Sequence, residues 1–466
     1  MIVIKFGGSL LKDAESILRC AAEVSAQAGR SPVVVVSALN GVTDILIENA
    51  ARALAAKADP SDLRRLHFGI LKDLGLEAQT VERMLFDVEV LLRGIQQVGE
   101  LSVRVFDRLL SYGERMSSVI FTQVLRKVGL PAYSVCSYDI GFLTDSKHTE
   151  AEPLPDIEKN LRQNIQRVGG IPVVTGFIAK DRQGNITTIG RNGSDLTASV
   201  LACALDAEEL QIYTHTDGLM SADPKVVKDA VMVSHLTYQE AAELAYFGAT
   251  VLHPKTLLSV TSKRIPVRLR PLANTKKETL ISSRKSSEVP ILTYRSPVAL
   301  VNIHTHRLSP ILNDLGSLSA LFGQAGLKPI AITNTLSTFT AVVEEEPFRK
   351  KSDYRVSGSW VEFPRQKGEA LEEQFRFFRE GLTEKANAEI RRGCALVCAV
   401  SESLKEQKGI LKTVLQVIEG AKAAVHIFST TSSAIALMTA VDKDDVAAVL
   451  TKLHRFFLTR KHSLKR

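Results

Sequence analysis

The sequence predicts an α/β protein: a largely parallel sheet sandwiched by helices, followed by two smaller α+β units. Three observations predict it. Strand-like and helix-like segments alternate from residue 1 to about 285 in a βαβ rhythm. The run "PVVVVSAL" is almost continuously apolar, as a central strand covered on both faces must be. Beyond residue 296, two stretches repeat one order of elements.

"IVIKF" reads as the first buried strand, leading through Gly7 and Gly8 into a helix with Ile17, Leu18, Ala21 and Val24 on one face. "PVVVVSAL" follows, then a long, mainly helical insertion between residues 44 and 127. "PAYSVCSYD", "IPVVTGFIA", "ELQIYT" and "IPVRLR" supply further strands, and Gly184-Asn185 turns a hairpin in "AKDRQGNITTI". A first domain over 1–285 then gives way to a polar, basic linker at 286–296. The first small unit, 297–345, holds "ALVNIHTH", a helix with Ile311, Leu312, Leu315, Leu318, Leu321 and Phe322, then "KPIAITNT" and "STFTAVVEE". The second, 391–466, holds "CALVCAV", a helix with Ile410, Leu411, Val414, Leu415 and Ile418, then "AVHIFSTT", "SAIALMTAV" and a final helix bearing Val446, Val449, Leu450 and Leu453. Between them, 346–390 is an insertion with Trp360 and a charged helical run.

Composition narrows the function. At 466 residues the chain exceeds one ordinary core, and 45% hydrophobic with 24% charged residues is a globular balance. No run reaches the roughly eighteen apolar residues needed to span a bilayer. Lys5 interrupts the first apolar run, which excludes a secretory signal. The net charge of +8 is partly in the acid-free tail "RFFLTRKHSLKR", read as a solvated, frayed end; no stacking or finger motif points to nucleic acid. Cys20, Cys136, Cys203, Cys394 and Cys398 form no CxxC pair and suit a reducing cytoplasm. Alternation places Cys394 and Cys398 on one strand face, as core.

Four stretches could carry chemistry. In "IKFGGSL", Gly7, Gly8 and Ser9 let backbone N–H groups approach a phosphate, and Lys5 can offset charge on a transferred phosphoryl. The spacing is not a P-loop, and a plain turn explains it as well. In "GRNGSDLTA", Ser194 or Asp195 can cap a helix, while Arg191 presents a planar fork suited to a carboxylate or phosphate. "SYGE" places Glu114 where an exposed helix-start acid is the alternative. "VSALNGVTD" places Ser37, Thr43 and Asp44 beyond a central strand's carboxyl end, where open parallel sheets bind ligands. His215, Asp217 and Asp223 in "YTHTDGLMSADPK" fit no zinc spacing, so no metal ligands are expected.

Together, "KFGGS", "VSALNGVTD", "SYGE", "GRNGSDLTA", "DP" at 223–224 and "FGATVLHP" resemble, in order, the motifs of aspartate kinases of the amino-acid kinase superfamily. The two later units resemble that family's tandem ACT domains. The resemblance implies phosphorylation of the side-chain carboxylate of L-aspartate by Mg-ATP to 4-phospho-L-aspartate, the first step toward lysine, threonine and methionine. A carboxylate is already nucleophilic at neutral pH, so positioning and charge stabilisation suffice. By resemblance, Lys5 stabilises the phosphoryl group and Gly7, Gly8 and Ser9 cradle phosphates. Arg191 grips the α-carboxylate, Glu114 faces the ammonium, Ser37, Thr43 and Ser194 line the pocket, and Asp195 orients Lys5. Thr214, His215, Met220, Lys225, Thr250 and Val251 form the nucleotide side. ACT units usually pair across chains, implying a homodimer with an amino-acid effector.

The family pattern is broken in places. His215, Met220, Lys225 and Thr250 replace the usual aspartate, tyrosine, arginine and lysine, which bears on nucleotide affinity. Ile330 and Leu336 stand where lysine-inhibited relatives carry acids, implying a different effector or weak feedback. Two other readings remain: a related kinase for another carboxylate substrate, and a non-catalytic amino-acid sensor with a degenerate nucleotide site.

Overall fold

The computed structural model describes the chain apart from residues 191, 216–217, 250–251, 253, 273–276, 285–288, 306–314, 336, 346–353, 364–368, 383–385, 432 and 465–466. Eight strands form the first sheet, in the order His235–Thr237, Thr279–Ser282, Val267–Pro271, Leu210–Thr214, Ile2–Phe6, Pro32–Val36, Ile171–Thr175 and Ala132–Val135. All neighbours are parallel except Val267–Pro271 with Thr279–Ser282.

Alternation along the central strands builds two cores. Val3, Val33 and Val35 face one way, toward Leu196, Val200 and Leu201 of the Gly193–Ala204 helix. Ile2, Ile4, Val34 and Val36 face the other, toward the Ala14–Ala26 and Val103–Lys127 helices. Each valine buried this way contributes about 1.5–3 kcal/mol. Lys5 shares the face of Val3, so the same alternation aims it at the Gly193–Ala204 helix. In the Ala14–Ala26 helix Cys20 joins Ile17, Ala21 and Val24 in the core, whereas Leu18 is exposed, contrary to expectation. The expected helical insertion is present as Val42–Leu54, Ser61–Leu74, Gln79–Val98 and Val103–Lys127. The hairpin at Gly184 is present too, with Gly184 at φ +84°.

The second sheet has six antiparallel strands: Pro329–Asn334, Thr338–Glu344, Ile291–Thr305, Ala386–Val400, Ala436–Asp442 and Ile427–Thr430. Its two 15-residue strands, Ile291–Thr305 and Ala386–Val400, pair along their length, so both small units share one sheet. Three boundaries therefore move. Residues 291–296, expected as linker, begin a strand. Residues 386–390, expected as insertion, begin another. The helix Glu369–Gly381, also expected as insertion, packs Leu371, Phe375 and Phe378 against Leu318 and Phe322, and so completes the first unit. Ile311 and Leu312 lie outside the described residues. Cys394 and Cys398 are buried on one face, with Leu396 and Val400. In the Ile410–Gly420 helix Ile410, Val414 and Ile418 are buried, while Leu411 and Leu415 stay exposed. The basic tail is no frayed end up to Leu464: it continues the Val446–Leu464 helix and buries Phe457.

The insertion also reaches back. Its hairpin, Arg355–Ser357 with Trp360–Glu362, docks at the start of the Val103–Lys127 helix. Val103 N donates to Ser359 O at 3.0 Å and Val361 N to Leu101 O at 2.9 Å. The Phe106 ring lies 4.7 Å from Tyr354 and 6.3 Å from Phe363. Among the described residues, no helix is long and apolar enough to cross a membrane.

Candidate active site

The carboxyl ends of the central parallel strands converge on one site. Lys5, at the end of Ile2–Phe6, places Nζ 2.6 Å from Asp195 Oδ1, with both side chains almost buried. A Cβ on Gly7 would sit 3.3 Å from that Nζ, and one on Gly8 only 2.9 Å from Ala38 O. Glycine is what lets the 7–9 loop lie against the 38–40 loop. Ser37 and Thr43 follow Pro32–Val36 and stay partly accessible. Ser194 is buried against Gly176, where a Cβ would come within 2.5 Å of Ser194 Cβ. Neither Ser194 nor Asp195 caps its helix; the N-cap position falls to Asn192, at φ +59°, whose side chain makes no capping hydrogen bond. This frees both side chains for the site.

Glu114 is not at a helix start. It sits inside the Val103–Lys127 helix, 3% exposed, and Oε1 accepts a hydrogen bond from Ala38 N at 3.0 Å. Oε2 is buried without a partner among the described residues. Gly113 makes this approach feasible, because a Cβ there would meet Ala38 Cβ at 2.9 Å. Burial pushes the Glu114 carboxyl up to about 8, against the opposing pull of the Ala38 N–H. A buried acid with an unspent oxygen fits a cationic ligand group.

The residues expected on the nucleotide side begin where Leu210–Thr214 ends. His215 Nδ1 lies 3.4 Å from Ser9 Oγ, which joins this loop to the glycine loop. Thr214 and Met220 are partly buried, and Lys225 is exposed. Arg191, Thr250, Val251, Asp217 and Leu336 lie outside the described residues.

Sequence reading missed two supports. Asp107 is fully buried and accepts from Thr188 Oγ1 at 2.6 Å and from Thr149 N, while its Oδ2 lies 2.7 Å from His148 Nδ1. Burial raises its pKa, opposed by these hydrogen bonds. It ties the 145–151 segment to the Ile186–Thr188 strand, which runs into the 190–195 loop. The signal was available: Asp107 is an acid in phase with Val103 and Leu110 on a buried helix stripe. The second support is Phe177, at φ +65°, whose N–H donates to Thr197 Oγ1 at 3.2 Å. That left-handed backbone, strained for a non-glycine residue, has no sequence signature.

The profile described as the amino acid kinase family matches residues 1–271, more than half of the chain. The chain belongs to the amino-acid kinase family. Among this family's members, the chain is 28% identical to lysine-sensitive aspartokinase 3 of Escherichia coli, over 97% of this chain and 98% of that one. It is 28% identical to the chloroplastic aspartokinase 1 of Arabidopsis thaliana, over 98% of this chain and 80% of that one. The solved E. coli aspartokinase III in complex with aspartate and ADP, in its R-state, superposes with a TM-score of 0.79 at 26% identity, covering 98% of this chain and 99% of that one. The alternating cores, the carboxyl-end site and the second sheet are thus those of an amino-acid kinase with a C-terminal ACT region. One group with metal-ligand types occurs among the described residues, Cys394, His426 and Asp442 in the second sheet. Asp442 there is already held by His426 at 2.9 Å and by the Arg391 guanidinium at 3.4 Å.

Proposed function

We propose that the chain phosphorylates the side-chain carboxylate of L-aspartate with ATP, giving 4-phospho-L-aspartate, under control of an amino-acid effector at its ACT units. The observation that carries this is the full-length likeness to an aspartokinase bound to aspartate and ADP. The site is consistent with it. The cramped Gly7–Gly8 backbone and Lys5 fit a polyphosphate, and ATP with its Mg²⁺ supplies the transferable phosphoryl group. Lys5, oriented by Asp195, neutralises charge that develops on that group. Glu114 receives the ammonium of the amino acid on its unspent Oε2, giving up its proton as it does so. Ser37, Thr43 and Ser194 line the pocket, and Arg191 takes the α-carboxylate. No base is needed, because the attacking carboxylate is already ionised. Thr214, His215, Met220, Lys225, Thr250 and Val251 form the adenosine and phosphate side.

In the same reading, residues 1–285 are the catalytic domain and the remainder is regulatory. The enzyme works in the cytoplasm, in keeping with five free cysteines. A homodimer is supported by the open edge strands Pro329–Asn334 and Ile427–Thr430. The likeness to aspartokinases favours neither a different carboxylate substrate nor a non-catalytic sensor. The deciding assay traps the acyl phosphate as a hydroxamate, with aspartate against glutamate. Product from ATP and aspartate is expected; its absence with purified, folded protein refutes the proposal.

A further inference from the structure

Met220 opens, and Lys225 lies within, a loop over 221–231 that starts and ends in a two-stranded ladder, with Met220 opposite Met232 and Leu219 opposite Val233. Ser221 closes this loop. Its N–H donates to Val231 O at 2.8 Å, and its Oγ accepts from Val231 N at 2.9 Å. Its carbonyl accepts from Leu292 N at 2.8 Å, at the start of the second sheet. The remaining contact crosses to the far end of the chain: Ser221 Oγ lies 2.8 Å from Nε2 of His454, on the Val446–Leu464 helix. Ser221 and His454 are both buried, at 0% and 1% exposure. Around them Ala222 and Val227 of the loop share one apolar cluster with Val449, Leu450, Leu453 and Phe457 of that helix.

The bond's direction follows the tautomer of His454. Val231 N–H already donates to Ser221 Oγ, which leaves the hydroxyl its own proton to give to an acceptor. His454 Nε2 is that acceptor in the neutral imidazole whose proton sits on Nδ1. Burial favours the neutral form, with Asp229 opposing it. Among the described residues, the hydrogen bonds of Ser221 run to Val231, Leu292 and His454, and not to Lys5, Ser37, Thr43, Glu114 or Ser194.

We infer that His454 is a positioning residue for the nucleotide: through Ser221 it holds the Met220–Lys225 loop in shape, so the C-terminal helix of the second ACT unit sets affinity for the adenine nucleotide and not for aspartate. The inference rests on reading the chain as an ATP-dependent amino-acid kinase. Its consequence is directional. Movement of the regulatory sheet reaches the nucleotide pocket by this bond.

The test measures ADP affinity by calorimetry without aspartate, alongside the KM for ATP and for aspartate, in the full chain. In His454→Ala, ADP affinity and the KM for ATP are expected to weaken about tenfold, with the KM for aspartate within about twofold. His454→Gln, which can place an acceptor near the Nε2 position, restores most of the loss. Ser221→Ala, which also gives up the bond from Val231 N, weakens ADP at least as much, and the double variant is no weaker than Ser221→Ala, because His454 acts only through that hydroxyl. Melting curves accompany each variant. Should His454→Ala fail to fold, Ser221→Ala and His454→Gln carry the test. Unchanged ADP affinity, equal weakening of aspartate and ADP, or additive losses overturn the inference. Wild-type protein that binds no adenine nucleotide overturns the kinase reading, and this inference with it.

Discussion

Replacing Glu114 with glutamine keeps the shape of the side chain and removes its titration, which turns a buried acid into a measurable slope. The Glu114 carboxyl moves from an ordinary 4.5 to about 8 because burial penalises its charged form. Below about 4.5, folded and unfolded chains both keep the proton, and the contribution of Glu114 is fully present. Between that value and about 8, the unfolded chain releases the proton while the folded chain holds it. Stability is lost there at up to about 1.4 kcal/mol per pH unit, at most about 5 kcal/mol in all. Above about 8 both forms are ionised and the loss is complete. Urea denaturation at pH steps from 5 to 9 should therefore show wild type declining relative to Glu114→Gln. Saturating aspartate should flatten the wild-type curve, since its ammonium stabilises the carboxylate. The same variant should raise the KM for aspartate about 10–100-fold, as expected for a lost charge-assisted hydrogen bond. Parallel stability curves for the two proteins, with and without aspartate, would refute the reasoning.

Two further outcomes follow from the site's geometry. Lys5→Met should lower kcat roughly 100–1,000-fold and raise the KM for ATP, with little change in the KM for aspartate, and a loss in kcat under tenfold in steady-state assays would remove Lys5 from the chemistry. Gly176→Ala forces a Cβ to within 2.5 Å of Ser194 Cβ, and should cost about 1–3 kcal/mol in stability and raise the KM for aspartate; normal melting and normal KM would contradict that packing.

Much of this was legible in the sequence because it rests on periodicity and glycine. "PVVVVSAL" is a central strand since valines on both faces leave no other stable placement. "KFGGS" marks a close backbone approach that only glycine permits at Gly8. The burial of Glu114 was not legible, because "SYGE" carries no sign that its helix began eleven residues earlier, at Val103. The shared six-stranded sheet was also hidden: Ile291–Thr305 begins inside a stretch that reads as linker, and its partner begins inside an apparent insertion. Strand pairing over nearly a hundred residues leaves no local pattern. Asp107 failed for a different reason. One acid on an apolar stripe says that something must satisfy it, and not that the partners are His148, Thr149 and Thr188.

The hairpin carrying Trp360 has a meaning for biosynthesis. Tyr354, Val361 and Phe363 cover Phe106 and Leu101 on the first half of the chain. A ribosome adds Tyr354 roughly 250 residues after Phe106, about 12–50 s later at ~5–20 residues per second. Throughout that interval the start of the Val103–Lys127 helix waits without its lid, a bare aromatic surface in a crowded solution. The nascent catalytic half therefore completes its packing only after the hairpin at 354–363 has been made, late in the synthesis of the chain.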